Sequence, residues 1–583
     1  MADDRQIPTA QPADRPSFKI KVGGAQISAE YQVQAVVVTR EFNKVARADI
    51  YILDGDAASE TFSASSADDF VPGNEVEVLA GYHGEEESIY KGLITRHGIR
   101  VYQKRPSVLH IECQDAAVKL TVGRKSAYFY DVSDADVIEQ IASAAGVDTD
   151  VEATGVTHPQ MVQFYCTDWD FVITRAEANG KLVATQDGVL IVKAPDAGGS
   201  PVLALTFGGN ILEFEATMDA RFQYAGVQSL AWAPADQDMS TVDAVDDAAV
   251  APGNVSSSDL AAVASPEPLG LKHGGQLGED ELQAWADAEQ VKSLFAKVRG
   301  RVRIQGFGAI KPGDVVELAG VGDRFNGNAL VAGVRHEIDA KNWETDISFG
   351  LAPERFGSVA RDIVEAPANG LLPAIGGLQI GLVTALEGDP DGEHRVQVRI
   401  PMIDPAEEGV WARVATLDAG DGRGTFWRPE IGDEVVLGFL NDDPRNPILL
   451  GMMHSSAKPA PLEAADDNHE KGIFTRSGIK LLFNDDTVVV SLETPNGNKL
   501  TLSDEDGAIT LVDENNNTVT MNADGITLES AADLNITASG DVNIEGTNVT
   551  TTASAQLKGE GSSGAEITSS GSTVVKGSVV QIN

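Results

Sequence analysis

Over the last hundred residues, apolar side chains recur in pairs two positions apart, each pair followed by a short polar turn. The pairs are Leu500/Leu502, Ile509/Leu511, Val519/Met521, Ile526/Leu528, Leu534/Ile536 and Val542/Ile544, and from Ile526 they settle to a period of eight. Alternation with period two marks short strands, and the Asp, Asn, Gly and Ser between them mark turns. No aromatic residue follows Phe483, and Pro495 is the only proline after Phe474. The interior of such a repeat is narrow and filled by small aliphatic groups. Two of them per eight residues bury too little apolar area to offset the entropy of ordering the chain. A lone strand also leaves both of its edges unpaired. Three copies wound into a triangular prism share one core and leave no free lateral edge. A single-chain hexapeptide β-helix needs a period of six, which is absent. The expected state is a homotrimer ending in a stiff, slender triple-stranded β-helix; an inert trimerisation stalk fits the same pattern.

Upstream, 583 residues are too many for one core. After a polar tail over 1–17, the stretch 18–120 reads as successive strands punctuated by Gly, Pro and Asp. Helices are expected over 133–145 and 168–180, with Ser133 and Asp168 as N-caps and Gly146 and Gly180 as stops. The segment 234–275, mostly Ala, Asp, Ser, Val and Pro, is expected to be a loop or flexible insertion. A helix follows over 279–298, then strands from Val302 to Leu351 and a compact β module to about residue 458.

Two distant segments match. Val71 to Val78 (VPGNEVEV) and then Gly92 to His97 (GLITRH) correspond to Lys311 to Leu318 (KPGDVVEL) and then Leu330 to His336 (LVAGVRH). Pro72 and Pro312 lie 240 positions apart, and Arg96 and Arg335 lie 239 apart. Pro-Gly turns recur by chance, but two blocks at nearly one offset indicate two related β-barrels. Three chains would then present six similar units in a ring, a surface suited to a six-fold partner. An ancient duplication with no such partner is the plainer alternative. Neither Arg-His pair has an identifiable carboxylate neighbour in sequence, and neither is assigned a role.

Acidic residues outnumber basic ones 88 to 44, a formal charge of −44. Such a surface repels nucleic-acid phosphates and anionic membranes. Cys113 and Cys166, the only cysteines, make no disulfide framework. The N-terminus lacks a basic start and an apolar run, so cytoplasmic assembly without a signal peptide is expected. Gly420 to Gly424 (GDGRG) lacks the Lys-Ser/Thr of a phosphate loop, and Asp504 to Gly507 (DEDG) lacks the spaced ligands of a calcium loop. Asp389, Asp391, Glu393, Glu407 and Glu408 speak against nucleic-acid binding by the β module.

That module carries Gly392 to Ile400 (GEHRVQVRI), Val410 to Val414 (VWARV), Gly424 to Pro429 (GTFWRP), Gly432 to Phe439 (GDEVVLGF) and Asp442 to Gly451 (DDPRNPILLG). In this order the blocks resemble the OB-fold domain of VgrG-type spike proteins, the fused hub and needle of contractile injection systems and contractile phage tails. Asp168 to Gly180 resembles that family's hub insert, and Gly320 to His336 its second hub barrel. The resemblance implies a mainly β homotrimer in six parts: a tail (1–17), a first hub barrel (18–120), an α/β insert (121–200), a second barrel (201–372), an OB-fold domain (373–460), and linker plus needle (461–583). It further implies docking on a hexameric inner-tube protein, baseplate partners, effectors as cargo and transient piercing of a target membrane. A PAAR-type cap would sit on the tip, here Val579, Val580, Gln581, Ile582 and Asn583. About 15 residues separate OB domain and needle, too few for the lysozyme domain some relatives carry there, and no fused effector is expected after the needle. The last histidine is His469, so a histidine-bound metal tip is not expected, nor any cofactor or catalytic residue. The rival readings are a tailspike-like polysaccharide- or peptidoglycan-degrading enzyme, which needs paired carboxylates on a groove, and a trimeric adhesin stalk, which needs an export signal.

Overall fold

Along residues 17–114 the strands bury alternate apolar side chains, as strands covered on one face do. They are β1 (Ser17–Val22), β2 (Ala25–Gln26), β3 (Gln32–Glu41), β4 (Arg47–Leu53), β5 (Glu75–Tyr82), β6 (Glu85–Arg100) and β7 (Val108–Gln114). The computed structural model describes residues 15–245 and 251–582. It forms two compact units, one running through Gly377 and including Phe439–Asn446, the other comprising Leu378–Gly438 and the chain from Pro447. In the first unit the antiparallel order β3-β4-β7-β6-β5-β1 places Val36, Val38, Ile50, Ile52, Val78 and Ile111 in one core with Phe70.

The insert comprises β8 (Lys125–Ser133), α1 (Asp134–Ala144), β9 (Asp148–Val151), β10 (Thr157–Cys166), α2 (Asp168–Ala178), β11 (Leu182–Gln186) and β12 (Val189–Lys193). Ser133 caps α1 in a reciprocal capping box with Asp136. The cap of α2 is Thr167, whose hydroxyl accepts from the Asp170 amide, not the expected Asp168. Asp168 instead occupies the first helical position, with its carboxylate buried against Lys125 and Gln163. Gly146 and Gly180 follow the two helices at φ of 65° and 64°, where a side chain would be strained.

The second half runs β13 (Leu203–Thr206), β14 (Ile211–Met218), β15 (Val227–Ala233), β16 (Asp238–Asp243), α3 (Ser257–Ala264), β17 (Leu269–His273), α4 (Glu279–Ala296), β18 (Val298–Gln305), β19 (Val315–Ala319), β20 (Gly327–Asp339) and β21 (Trp343–Phe349). Its order β14-β18-β21-β20-β19-β13 repeats that of the first half, with its own core of Val302, Ile304, Val331, Ile347 and Phe349. The duplication is thus visible as topology, and the two halves are joined to each other edge to edge. The long β20 reaches past β19, and its remaining edge pairs with β3, from Gly333 opposite Glu41 to Asp339 opposite Ala35. Both halves therefore belong to one 13-stranded sheet among the described residues. The flexible insertion expected over 234–275 is also corrected: β16 and β17 pair on either side of β15, and α3 lies between them.

In the second unit β22 (Gln379–Ala385), β23 (Val396–Arg399), β24 (Val410–Val414), β25 (Ala419–Gly420), β26 (Arg423–Gly424), β27 (Glu434–Phe439) and β28 (Pro447–Met452) form the OB module. All but the small β25–β26 hairpin close into a barrel around Val383, Val396, Val398, Ala412, Val435, Leu437 and Leu449. Next come β29 (Glu470–Phe474), β30 (Lys480–Asn484), β31 (Val489–Glu493), β32 (Lys499–Ser503), β33 (Ala508–Val512), β34 (Thr518–Asn522) and β35 (Gly525–Glu529), each antiparallel to the next in a single sheet. From Ser530 to Ile582 no described residue lies in a paired strand.

Candidate functional site: the assembly surfaces

The register of the C-terminal meander sorts its side chains by face. Leu481 and Phe483 lie opposite Leu492 and Val490, which lie opposite Leu500 and Leu502. Leu500 and Leu502 pair with Leu511 and Ile509, these with Val519 and Met521, and these with Leu528 and Ile526. Every rung is apolar on apolar. The opposite face carries a hydroxyl ladder of Ser491, Thr501, Thr510, Thr520 and Thr527, again in direct register. Cross-strand pairs of this kind stabilise a sheet, yet the apolar face has no cover. Phe483, Leu492, Leu502, Ile509, Leu511, Met521, Ile526 and Leu528 are between 41% and 71% exposed. A soluble chain rarely leaves so long an apolar stripe bare unless another surface closes over it.

Beyond β35 the exposure is complete: every described residue from Ser530 to Ile582 is exposed, including Leu534, Ile536, Val542 and Ile544. The octads hold strand-like alternation with no strand paired to them among the described residues. Among the tip residues, Val579, Val580 and Ile582 are bare, Gln581 is exposed, and Asn583 lies outside the described residues.

In the first unit, the sheet face away from the cores is charged. Arg96 lies 3.8 Å from Glu112, and Arg335, its counterpart in the second half, lies 3.6 Å from Asp346. Asp346 also accepts from Arg303 at 3.0 Å, and His110 Nε2 lies 2.8 Å from Asp49. The two Arg-His motifs thus share a structural arrangement, with a carboxylate partner across the strand that sequence did not reveal. Their histidines turn inward: His97 lies 2.9 Å from the Phe70 carbonyl, and His336 lies 2.9 Å from the Thr345 hydroxyl. No group of His, Cys, Asp and Glu among the described residues is arranged to hold a metal.

Comparison with known proteins matches these parts one by one. Residues 12–340 match the family model of the Alg8 N-terminal domain, more than half of the chain. Residues 379–454 match the type VI secretion system/phage-baseplate injector OB domain, and 488–583 the phage baseplate V C-terminal trimerisation domain. The type VI secretion system spike protein VgrG1a of Pseudomonas aeruginosa is 28% identical over 202 residues, 32% of this chain and 31% of the relative. The chain belongs to the VgrG-type spike family. VgrG3 of Vibrio cholerae is 32% identical over 101 residues, 16% of this chain and 10% of that protein. The VgrG-type chain spans about a third of the length of the Pseudomonas relatives it matches. A solved type VI secretion component of E. coli has a TM-score of 0.37 and 15% identity, covering 75% of this chain and 100% of that one.

The remaining motifs of the VgrG-type chain resolve as local structure. Gly420 to Gly424 is the β25–β26 hairpin, and Asp504 to Gly507 is the turn between β32 and β33, where Ser503 accepts from the Asp506 amide. Cys113 and Cys166 are buried free thiols, and burial raises both thiol pKa values. Two features escaped sequence reasoning. One is an exposed strip on β8 and β10, with Tyr128, Tyr130, Val162 and Phe164 outward while Phe129 packs inward; aromatic residues on both faces of the alternation were the available signal. The other is the buried Asp134, which accepts from Arg175 Nε at 2.5 Å and Asn179 at 2.9 Å and lies 3.0 Å from His158 Nε2. Its partners are 24 to 45 positions away, so no local motif announces it.

Proposed function

We propose that this chain is the central spike of a contractile injection machine, working as a homotrimer whose job is mechanical. The observation that carries the reading is the bare apolar ladder of β30–β35, continued by octads that find no strand partner among the described residues. Three copies of that surface close over one another into a rod, which fits the trimerisation family matched by 488–583. The six-part division, from tail through two hub halves, insert and OB domain to the needle, gives each part a task. The duplicated hub halves of three chains offer six similar units to a hexameric inner-tube protein. The OB barrel leads into the needle, and the needle carries a PAAR-type cap on Val579, Val580, Gln581, Ile582 and Asn583.

On this reading baseplate proteins surround the hub, effectors travel with the spike or its cap, and the target membrane is breached transiently. The trimer assembles in the bacterial cytoplasm and leaves as part of a phage tail-like particle on contraction. No catalysis is required of it: the curated relatives are named spike proteins. The formal charge of −44 makes nucleic acid a poor partner. Cryo-electron microscopy of particles from producing cells tests this directly. Three copies at the distal end of the tube are expected; particles whose tube end lacks the chain, or reproducible turnover of peptidoglycan or capsule by the pure protein, would defeat it.

A further inference from the structure

The two hub halves share a strand order but differ at one hairpin. Arg96 opposite Glu112 corresponds to Arg335 opposite Asp346, which makes Ile99 the counterpart of Ile338 and Leu109 that of Trp343. Between these marks the second half has four residues, 339–342, and the first has nine, 100–108. The short turn is self-contained: the Asp339 carboxylate accepts from the amides of Lys341 and Asn342, each at 2.7 Å. The long one is not. Its Arg105 lies over the Tyr102 ring, 3.6 Å from the centroid, and no side chain of 101–107 makes a hydrogen bond or ion pair among the described residues. A cation held over an aromatic face keeps its charge and its outward donors.

The extra length is basic in an acidic chain. Of 583 residues 88 are Asp or Glu, yet none falls between Glu87 and Glu112, where Lys91, Arg96, Arg100, Lys104 and Arg105 do. Arg100, Lys104 and Arg105 crowd one hairpin end and all three are exposed. Like charges gathered on a short loop repel one another, and nothing in the core requires the loop, since the second half closes the same hairpin without it. Such a feature is explained by what it meets. A six-fold partner would face both halves alike, whereas a contact built into one half is met once per chain.

We propose that the β6–β7 hairpin of the hub is a docking site for a short acidic segment of a partner protein, one per chain, gripped by Arg100, Lys104 and Arg105. Guanidinium groups take carboxylates in pairs of parallel hydrogen bonds, and Arg105 is already steadied by Tyr102. Charge complementarity selects the occupant. A duplex nucleic acid or an anionic membrane spreads its charge over an area larger than the hairpin, and would also face Glu112 and Asp49 on the same sheet of a chain carrying a formal −44. An acidic peptide concentrates its charge where the hairpin does.

Fluorescence anisotropy of a labelled Asp/Glu octapeptide with the full-length protein tests the site. Binding is expected at about 50 mM salt with one peptide per chain, and is expected to weaken at least about tenfold by about 300 mM. Lys104→Glu/Arg105→Glu should weaken it at least about tenfold, Lys104→Arg/Arg105→Lys should keep it within about twofold, and Lys341→Glu, in the short turn of the other half, should leave it unchanged. Three results overturn the proposal: no binding by the natural chain, an equal loss in the Lys341→Glu variant, or tighter binding of oligothymidylate or phosphatidylserine vesicles than of the peptide. The site stands on a single chain and not on the trimeric reading. A monomer that binds the peptide at the hairpin upholds it while defeating the trimeric spike, and a trimer that ignores the peptide does the reverse.

Discussion

His336 Nδ1 lies 2.9 Å from the Thr345 hydroxyl across the β20–β21 pair, in a site only 2% exposed. Burial, with Arg40 nearby, drives the imidazole pKa from 6.5 to about 3. Below pH 6.5 the unfolded chain binds a proton that the folded chain refuses until about pH 3. The stabilisation is therefore full above pH 6.5 and is lost as pH falls through that window, at about 1.4 kcal/mol per pH unit. Replacing His336 by Asn should cost about 1–3 kcal/mol near neutral pH but flatten the acid-side slope. Peptide-resolved hydrogen exchange over β20 and β21, corrected for intrinsic rates at each pH, measures both; an unchanged slope in the variant would refute the assignment.

Asp134 anchors the hub insert in the same physical terms. Burial works against its carboxylate, but hydrogen bonds and charge from Arg175, with His158 and Asn179, outweigh it and hold its pKa below the usual range. Asp134→Ala strands the Arg175 guanidinium, whose other acidic neighbour, Glu281, is 3.7 Å away. A loss of about 3–5 kcal/mol in the stability of α1 and α2 is expected. The Asp134 contribution is present above the unfolded carboxylate pKa and fades as pH falls through the lowered folded value. Urea-dependent exchange of the helix amides reads it, and a change below about 0.5 kcal/mol would show that the cluster is incidental.

What the sequence made legible was local or periodic. The Ser133 cap and the glycine stops located α1 and α2, with the α2 cap itself misplaced by one residue, and α4 followed its apolar stripe, because these signals lie within a turn or two of the helix they bound. The paired apolar residues of the needle were readable because rung matches rung at short range. The β20–β3 seam was not, since it joins residues about 300 positions apart and depends on β20 overrunning β19. The insertion was misread because composition reports the area a segment can bury alone, whereas β16 and β17 are held by the backbone edges of β15. Asp134 was missed for the same reason as the seam: its partners arrive only with the fold.

The apolar ladder predicts a sharp difference between its two faces. Leu511 pairs with Leu500 and Val519 in the middle of the stripe, while Thr510 sits on the hydroxyl face. Leu511→Asp places three carboxylates in the shared core of a trimer, each costing several kcal/mol to desolvate. Light scattering should then find monomers, whereas Thr510→Asp should leave the trimer in place. Equal effects of the two substitutions would mean that the ladder is not the buried face.

The tail beyond β35 offers the most direct test of assembly. From Ser530 to Ile582 a single chain exposes every described residue, and Leu534, Ile536, Val542 and Ile544 are apolar sites at which thermolysin cuts. Protease needs a locally unfolded segment about as long as its own cleft, which an unpaired octad supplies and a closed prism withholds. The intact protein at micromolar concentration is therefore expected to resist thermolysin along the tail, and the Leu511→Asp monomer to lose it at least about 100-fold faster, with both sharing the same digestion pattern in the hub. Mass spectrometry of the fragments locates the cuts. Should the monomer keep an uncut tail, its octads would have found a partner within one chain, and three-fold closure would not be what holds the rod together.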